Sequence, residues 1–218
     1  MRIFLIDIFS NNLRLPYFRF EGCPIEWAKL NEQFGVDYHL LEKVPVEGYA
    51  AMIPVVLEML KRHFIINRGI DVVGIFRLAP DKEKCQTVMD QINTGTFESC
   101  DDVNIIANLI KIFFRNLPQS LCANIPERIL YKVAENDIET AHRELDSIDE
   151  PWKSVLLWLL DLMSVVVMNE AVNKMAVKNM AICVSPNLFV PNTENPMAAL
   201  TKAQKVTQIY AIYRMSNL

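Results

Sequence analysis

Apolar residues recur every three to four positions along most of the chain, which is the spacing of amphipathic helices. No segment combines alternating apolar and polar residues with the turn signals that are typical of a strand. Prolines and asparagines mark most boundaries between the periodic segments. The predicted helices cover residues 53–66, 81–95, 102–116, 126–146, 151–168, 173–184 and 196–214. The pattern therefore predicts an all-α fold of about seven to nine helices.

The length and composition of the chain suit one domain with a large core. It has 218 residues, and 51% of them are hydrophobic. The sequence contains no internal repeat and no low-complexity tract. We expect one helical domain over residues 31–218, preceded by an N-terminal extension, residues 1–30, which is a candidate for an added helix.

Charge and cysteine usage limit the class of partner and the compartment. The formal net charge is −4, so neither a nucleic acid nor an anionic membrane is expected as the main partner. The five cysteines are odd in number and form no Cys-x-x-Cys pair, which argues against a disulfide framework or a zinc site. The most apolar run, residues 154–168, is too short to span a bilayer and contains Asp161. We therefore expect a cytoplasmic protein without direct membrane insertion.

The sequence offers no conventional catalytic motif. The three histidines, His39, His63 and His142, do not stand beside a motif for a nucleophile. Patterns of the types Gly-x-Ser-x-Gly, His-Glu-x-x-His and Gly-x-x-x-x-Gly-Lys are all missing. The adjacent Asp101 and Asp102 are read as the start of a helix rather than as a catalytic pair. The residues thus predict neither a stand-alone hydrolase nor a metal site.

The predicted helix over residues 102–116 carries an unusual polar stripe. At about 100° per residue, Asn104, Asn108, Lys111 and Arg115 fall within roughly 60° of one another. Like charges four residues apart slightly destabilise an isolated helix. A solvated face remains one interpretation of the stripe. The other is a surface on which a negative or carbonyl-rich partner docks.

A permanent cation, Arg77, interrupts the otherwise apolar stretch "GIFRLA" at residues 74–79. One interpretation is a structural arginine paired with a buried carboxylate. The other is an arginine that the chain presents to a partner.

The apolar segment at residues 173–189 begins with Asn173, and two further asparagines, Asn179 and Asn187, lie among its apolar residues. An asparagine can cap a helix end or bond the backbone at a turn, and we read Asn179 in this way. Asn187 follows the predicted end of the helix, in a loop where an exposed amide can reach a partner.

Three segments together carry a family resemblance. They are "GIFRLAPDKEKCQTVMDQINTG", "NIIANLIKIFFRNLPQSL" and "NKMAVKNMAICVSPNLF", in this order along the chain. They resemble the three signature blocks of the RhoGAP domain, and the resemblance spans about residues 34–214. It implies an all-helical domain that binds a Rho-family small GTPase in its GTP-bound form and accelerates GTP hydrolysis by inserting an arginine.

The resemblance also implies roles for four residues. Arg77 occupies the position of the arginine finger. Lys111 and Arg115 occupy positions that support the finger loop and contact the GTPase, and Asn187 matches an asparagine that bonds the switch region. The domain would then need no cofactor or metal of its own, because GTP and Mg²⁺ belong to the partner. It would be an activator acting in trans rather than an enzyme, recruited to membranes through the GTPase or other regions.

The sequence departs from the family pattern beside these positions. Val73 stands where an acidic residue is usual, Asn104 where a histidine is frequent, and Asn116 and Ser120 replace Glu and Pro. These departures bear on target preference and local stability, while Arg77 is unchanged. The alternative functions are a non-catalytic RhoGAP-like module that docks a small GTPase or another partner, and a helical adaptor unrelated to GTPases.

Overall fold

The computed structural model describes residues 31–122, 138–189 and 196–216. Within these ranges the chain forms eight α-helices, which confirms the predicted all-α fold. They are α1 Val55–Ile66, α2 Lys82–Asn93, α3 Val103–Asn116, α4 Ile138–Asp146, α5 Trp152–Met168, α6 Glu170–Asn173, α7 Val177–Val184 and α8 Pro196–Ser216. The N-terminal extension 1–30 and the first part of the predicted helix 126–146 lie outside the described residues. The domain boundary at residue 31 stays a prediction.

Short irregular elements connect the helices. Two-residue strands, Lys43–Val44 and Ile53–Pro54, pair antiparallel ahead of α1. Single 3₁₀ turns occur at Tyr38–Leu40, Gly69–Asp71 and Ser185–Asn187. The two strands are too short to show the alternation by which a strand is found in a sequence.

Two groups of helices build the core. In the first, α3 packs against α1 and α2, and its buried side includes Ile106, Leu109, Ile110 and Phe113. In the second, α8 packs against α4, α5 and α7. Helix α5 is buried on nearly every side, which explains its almost continuous apolar sequence. None of the helices in the described ranges is long and apolar enough to cross a membrane.

Asp161, a buried carboxylate in the apolar helix α5, accepts hydrogen bonds at both of its oxygens. Asp161 accepts two hydrogen bonds from the Arg214 guanidinium, at 2.6 and 3.0 Å, and one from the Tyr49 hydroxyl at 2.6 Å. Burial, together with the nearby Asp161 charge, raises the pKa of Tyr49 above its ordinary value. Forked ion pairs of this kind are strong and directional, so they fix α8 against α5.

The predicted helix over residues 173–184 is wrong at its start. Lys174 adopts a left-handed conformation, with φ of 64°, and the chain resumes as helix only at Val177. The Asn173 side chain accepts a hydrogen bond from the Met175 backbone N–H at 2.8 Å, an alternative to the helical bond. The apolar period continues through the break, so periodicity alone does not reveal it.

An aspartate starts α3, as the sequence predicts. Asp102 is the N-cap, and its Oδ1 accepts from the Asn104 backbone N–H at 2.9 Å. We expect Asp102→Ala to lower the free energy of unfolding by about 1 kcal/mol, measured by urea denaturation. Asp101→Ala is the matched control and should change it little, because Asp101 is exposed and is not the cap. Equal effects of the two variants would contradict this assignment.

Candidate functional site

The segment between α1 and α2, here called the arginine loop (residues 69–80), has an unusual backbone. Gly74 and Phe76 both have positive φ, at 73° and 65°. A left-handed conformation costs a non-glycine residue roughly 1–2 kcal/mol. Phe76 tolerates it because its ring is only 2% exposed and lies 5.5 Å, centroid to centroid, from the Phe64 ring. The two reversals turn the chain sharply just before Arg77.

Arg77 is exposed, whereas the two residues before it are buried. Ile75 and Phe76 are 0% and 2% exposed. In the described part of the chain no carboxylate pairs with the Arg77 guanidinium, so the interpretation as a buried ion pair finds no support there. The Arg77 backbone N–H is held by the Gly74 carbonyl at 2.9 Å. The loop thus presents a cation on an anchored backbone.

Lys111 lies directly against the arginine loop. Its Nζ donates to the Phe76 carbonyl oxygen at 2.7 Å, across 35 positions of sequence. The side chain is half-buried, and this burial, together with Arg115 nearby, lowers the pKa of Lys111, while Cys183 and Cys85 act in the opposite direction. The structure therefore brings together two of the predicted site residues, with Lys111 holding the carbonyl that precedes Arg77.

The other residues of the polar stripe on α3 are two amides that bond within the domain and one exposed cation. Arg115 is exposed one turn beyond Lys111. Asn108 donates to Cys85 Sγ at 3.3 Å, and Asn104 donates to Asp102 Oδ1 at 3.2 Å. The two amides bond within the domain, as Lys111 does, so Arg115 is the exposed cation of the stripe that suits a partner.

Asn187 combines a local role with a position near the site. Its Nδ2 donates to the carbonyls of Cys183 and Val184, at 3.1 and 3.2 Å, and so caps the end of α7. Lys111 and Arg77 both lie close enough to Cys183 to lower the pKa of its thiol, against the larger opposing effect of burial. The 3₁₀ turn Ser185–Asn187, which follows α7, packs against α3, the helix that carries Lys111. Asn179 bonds locally as predicted, donating to the Lys174 carbonyl at 3.2 Å.

Asn173 is a site residue that the sequence analysis does not identify. It is 0% exposed, and its carbonyl oxygen accepts from the Gly74 N–H at 2.8 Å. Its Nδ2 donates to the carbonyls of Ile70 and Val166 at 2.8 and 2.7 Å. The only signal in the sequence is an asparagine within an apolar segment, because the contacts to residues 70 and 74 are long-range.

Both the backbone conformation at residue 74 and the neighbouring side chain of Leu78 favour glycine there. A Cβ on Gly74 would lie 3.2 Å from Leu78 Cγ, and its φ is 73°. We expect Gly74→Ala to lower the free energy of unfolding by about 1–2 kcal/mol, because alanine is disfavoured in the left-handed region. Thermal denaturation followed by circular dichroism measures this change. An unchanged melting temperature would contradict the strained geometry assigned to the loop.

The described residues contain no group of three or more His, Cys, Asp or Glu side chains that could hold a metal ion. In the same ranges Cys85, Cys100, Cys122 and Cys183 are free thiols. The site itself offers the cations of Arg77 and Lys111 and a loop backbone held by hydrogen bonds.

Comparison with known proteins agrees with this architecture. The family model of the RhoGAP domain matches residues 54–193. Rho GTPase-activating protein gacA of Dictyostelium discoideum is 39% identical over 176 residues, which cover 80% of this chain and 51% of that protein. Rho GTPase-activating protein 2 of Arabidopsis thaliana is 32% identical over 159 residues, covering 72% of this chain and 36% of that protein. The chain thus spans about half the length, or less, of these relatives.

Solved structures show the same fold at low sequence identity. Human Rho GTPase activating protein 15 superposes with a TM-score of 0.66 at 19% identity, over 73% of this chain and 81% of that one. The BH domain from GRAF, the GTPase regulator associated with focal adhesion kinase, gives 0.64 at 20% identity, over 74% and 93%. With the match of the family model over most of the chain, these findings show that the chain belongs to the RhoGAP domain family.

Proposed function

We propose that this domain stimulates GTP hydrolysis by Rho-family small GTPases, and that it supplies Arg77 in trans to the nucleotide site of the GTP-bound partner. One observation carries the proposal: an exposed guanidinium follows two buried residues, and Lys111 holds the carbonyl immediately before it. The relatives named as Rho GTPase-activating proteins support the same class of partner.

The chemistry of phosphoryl transfer suits such a group. Negative charge on the transferring phosphoryl and leaving oxygens is best neutralised by a cation that is already in place. A guanidinium is always charged and offers planar, forked donors. An arginine supplied in this way accelerates hydrolysis by about 10³ to 10⁵, equivalent to roughly 4–7 kcal/mol of barrier. The anchored loop limits the reorganisation that insertion of Arg77 requires.

The other predicted site residues take supporting roles in this proposal. Lys111 fixes the arginine loop, and Arg115 contacts the acidic or carbonyl-rich surface of the GTPase. Asn187 already donates its amide N–H groups to the end of α7. We therefore assign its Oδ1 as the atom that accepts a hydrogen bond from the switch region of the partner.

The reaction centre belongs to the partner in this proposal. GTP and Mg²⁺ are bound by the GTPase, and the domain contributes an arginine without turning over a substrate of its own. The protein acts in the cytoplasm and reaches membranes through the GTPase or through other regions.

A second candidate function is a non-catalytic module that docks a small GTPase. Val73 favours it, because this residue is 59% exposed directly beside Gly74, at the position where the family usually has an acidic side chain. An apolar side chain there adds docking surface without adding charge to the reaction centre.

Single-turnover GTP hydrolysis by Rho-, Rac- and Ras-type GTPases distinguishes the two functions. We expect stimulation of at least one Rho-family member at catalytic amounts of the domain. Binding to the GTP-loaded form without stimulation would instead establish the docking module. Neither binding nor stimulation across the panel would favour an adaptor unrelated to GTPases.

A further inference from the structure

The arginine loop is attached to the junction of α5 and α6 at Ile70, near the start of the loop, as well as at Gly74. The Ile70 carbonyl accepts two side-chain hydrogen bonds, from Asn169 Nδ2 at 3.0 Å and from Asn173 Nδ2 at 2.8 Å. A carbonyl oxygen has two lone pairs, so these two amides complete its bonding. Asn169 also donates to Asp71 Oδ1 at 2.8 Å. The two asparagines, one helical turn apart, are here called the asparagine clamp.

The geometry of the clamp is fixed by its own surroundings. Asn173 donates to the Val166 carbonyl and accepts from the Met175 N–H, so both ends of its amide are engaged. A buried amide whose donors and acceptor are all engaged has one orientation. Because Asn173 has one side-chain conformation, it fixes the Ile70 carbonyl relative to the Val166 carbonyl at the end of α5.

Three points of attachment hold the segment of chain that precedes Arg77. The clamp holds the Ile70 carbonyl, the Asn173 carbonyl holds the Gly74 N–H, and Lys111 holds the Phe76 carbonyl. Arg77 follows immediately, and its side chain is exposed. The backbone that leads to Arg77 is thus held at Ile70, Gly74 and Phe76 by bonds to other parts of the domain.

We propose that the asparagine clamp, Asn173 assisted by Asn169, is a pair of positioning residues that aligns Arg77 for insertion into the GTPase. This inference rests on the proposed function and adds residues that act through Arg77 without contacting the nucleotide. A displacement of about 1 Å at a reacting group costs roughly 10²-fold in rate, so loosening the loop entry is expected to reduce the rate of hydrolysis rather than binding.

The test uses two variants, Asn173→Ser and Asn169→Ala. If Asn173→Ser does not fold because Asn173 is buried, Asn169→Ala still tests the proposal. Single-turnover rates are measured at increasing concentrations of the domain, with the wild type alongside. We expect the maximal stimulated rate to fall about 10-fold or more, with a half-saturating concentration within about twofold of wild type. Asn179→Ala is the matched control, because this half-buried amide bonds the nearby Lys174 carbonyl and makes no contact with the clamp within the described residues, and it should leave both quantities unchanged.

A role confined to stability has a different signature. It lowers the folded fraction, which raises the half-saturating concentration and leaves the maximal rate as in wild type, and that result would overturn the proposal. A second readout is the ratio of affinities for the GDP–aluminium fluoride and GTP-bound states of the GTPase. Asn169→Ala should lower this ratio in the wild-type background and leave it unchanged in an Arg77→Ala background. An equal decrease in both backgrounds would also overturn it.

The same experiment separates this inference from the proposed function. A wild-type domain that stimulates no GTPase contradicts the proposed function and the clamp with it. A wild-type domain that stimulates hydrolysis, together with an unaltered maximal rate in the folded clamp variants, contradicts the clamp alone.

Discussion

Arg77→Ala is expected to remove nearly all stimulation of GTP hydrolysis, a loss of about 10³ to 10⁵ in the single-turnover rate. The variant should still bind the GTP-loaded GTPase, because the truncated group acts mainly on the transition state. Its fold should be unchanged, since the Arg77 side chain is exposed and Ile75 and Phe76 remain buried. Hydrolysis is measured with saturating domain, and binding with a non-hydrolysable GTP analogue.

Two further variants sharpen the result. Arg77→Lys should also lose most of the stimulation, because an ammonium group lacks the planar fork of donors. Lys82→Ala is the control, since Lys82 is an exposed cation that begins α2, just after the arginine loop. It should retain a rate near that of wild type. Near-full activity of Arg77→Ala would rule out Arg77 as the catalytic group.

Lys111→Met is expected to lower the stimulated rate by about 10²-fold, the effect typical of displacing a reacting group by about 1 Å. Methionine keeps an apolar stem of similar length but cannot donate to the Phe76 carbonyl. The loop then loses the bond that fixes the residue before Arg77. Affinity for the GDP–aluminium fluoride complex of the GTPase should fall as well, because that complex mimics the transition state.

The control for Lys111→Met is Lys178→Met, which removes an exposed lysine from α7. That variant changes the net charge equally and leaves the arginine loop untouched. Comparable losses in the two variants would mean that general charge, rather than the bond to Phe76, accounts for the effect. An unchanged affinity of Lys111→Met for the fluoride complex would argue against its supporting role.

Local sequence signals predicted most helices because those helices bury one face. The period of α3 assigned Leu109 and Phe113 to the core and Lys111 and Arg115 to the opposite side, and the structure agrees in burying the two apolar residues. The N-cap at Asp102 was likewise readable, since a cap depends on its own neighbours.

The parts of the site that were missed depend on contacts between distant segments. Asn173 was read as the first residue of a helix, whereas its side chain bonds the carbonyls of Ile70 and Val166. Asn108 was placed on a polar stripe, although it bonds Cys85. In each case a tertiary hydrogen bond decides the role of the amide, and no spacing in the sequence encodes its partner.

The arginine loop is anchored to α3 on one side and to the junction of α5 and α6 on the other, so its geometry depends on how these helices are placed relative to each other. Lys111 belongs to α3, while Asn169 and Asn173 lie at the end of α5 and in α6. A shear of one group past the other would move Phe76 relative to Ile70 and redirect the guanidinium. The rate of stimulated hydrolysis would then depend on how the helices that carry these anchors pack against each other. A substitution at that boundary would then change the stimulated rate without removing any contact to the GTPase.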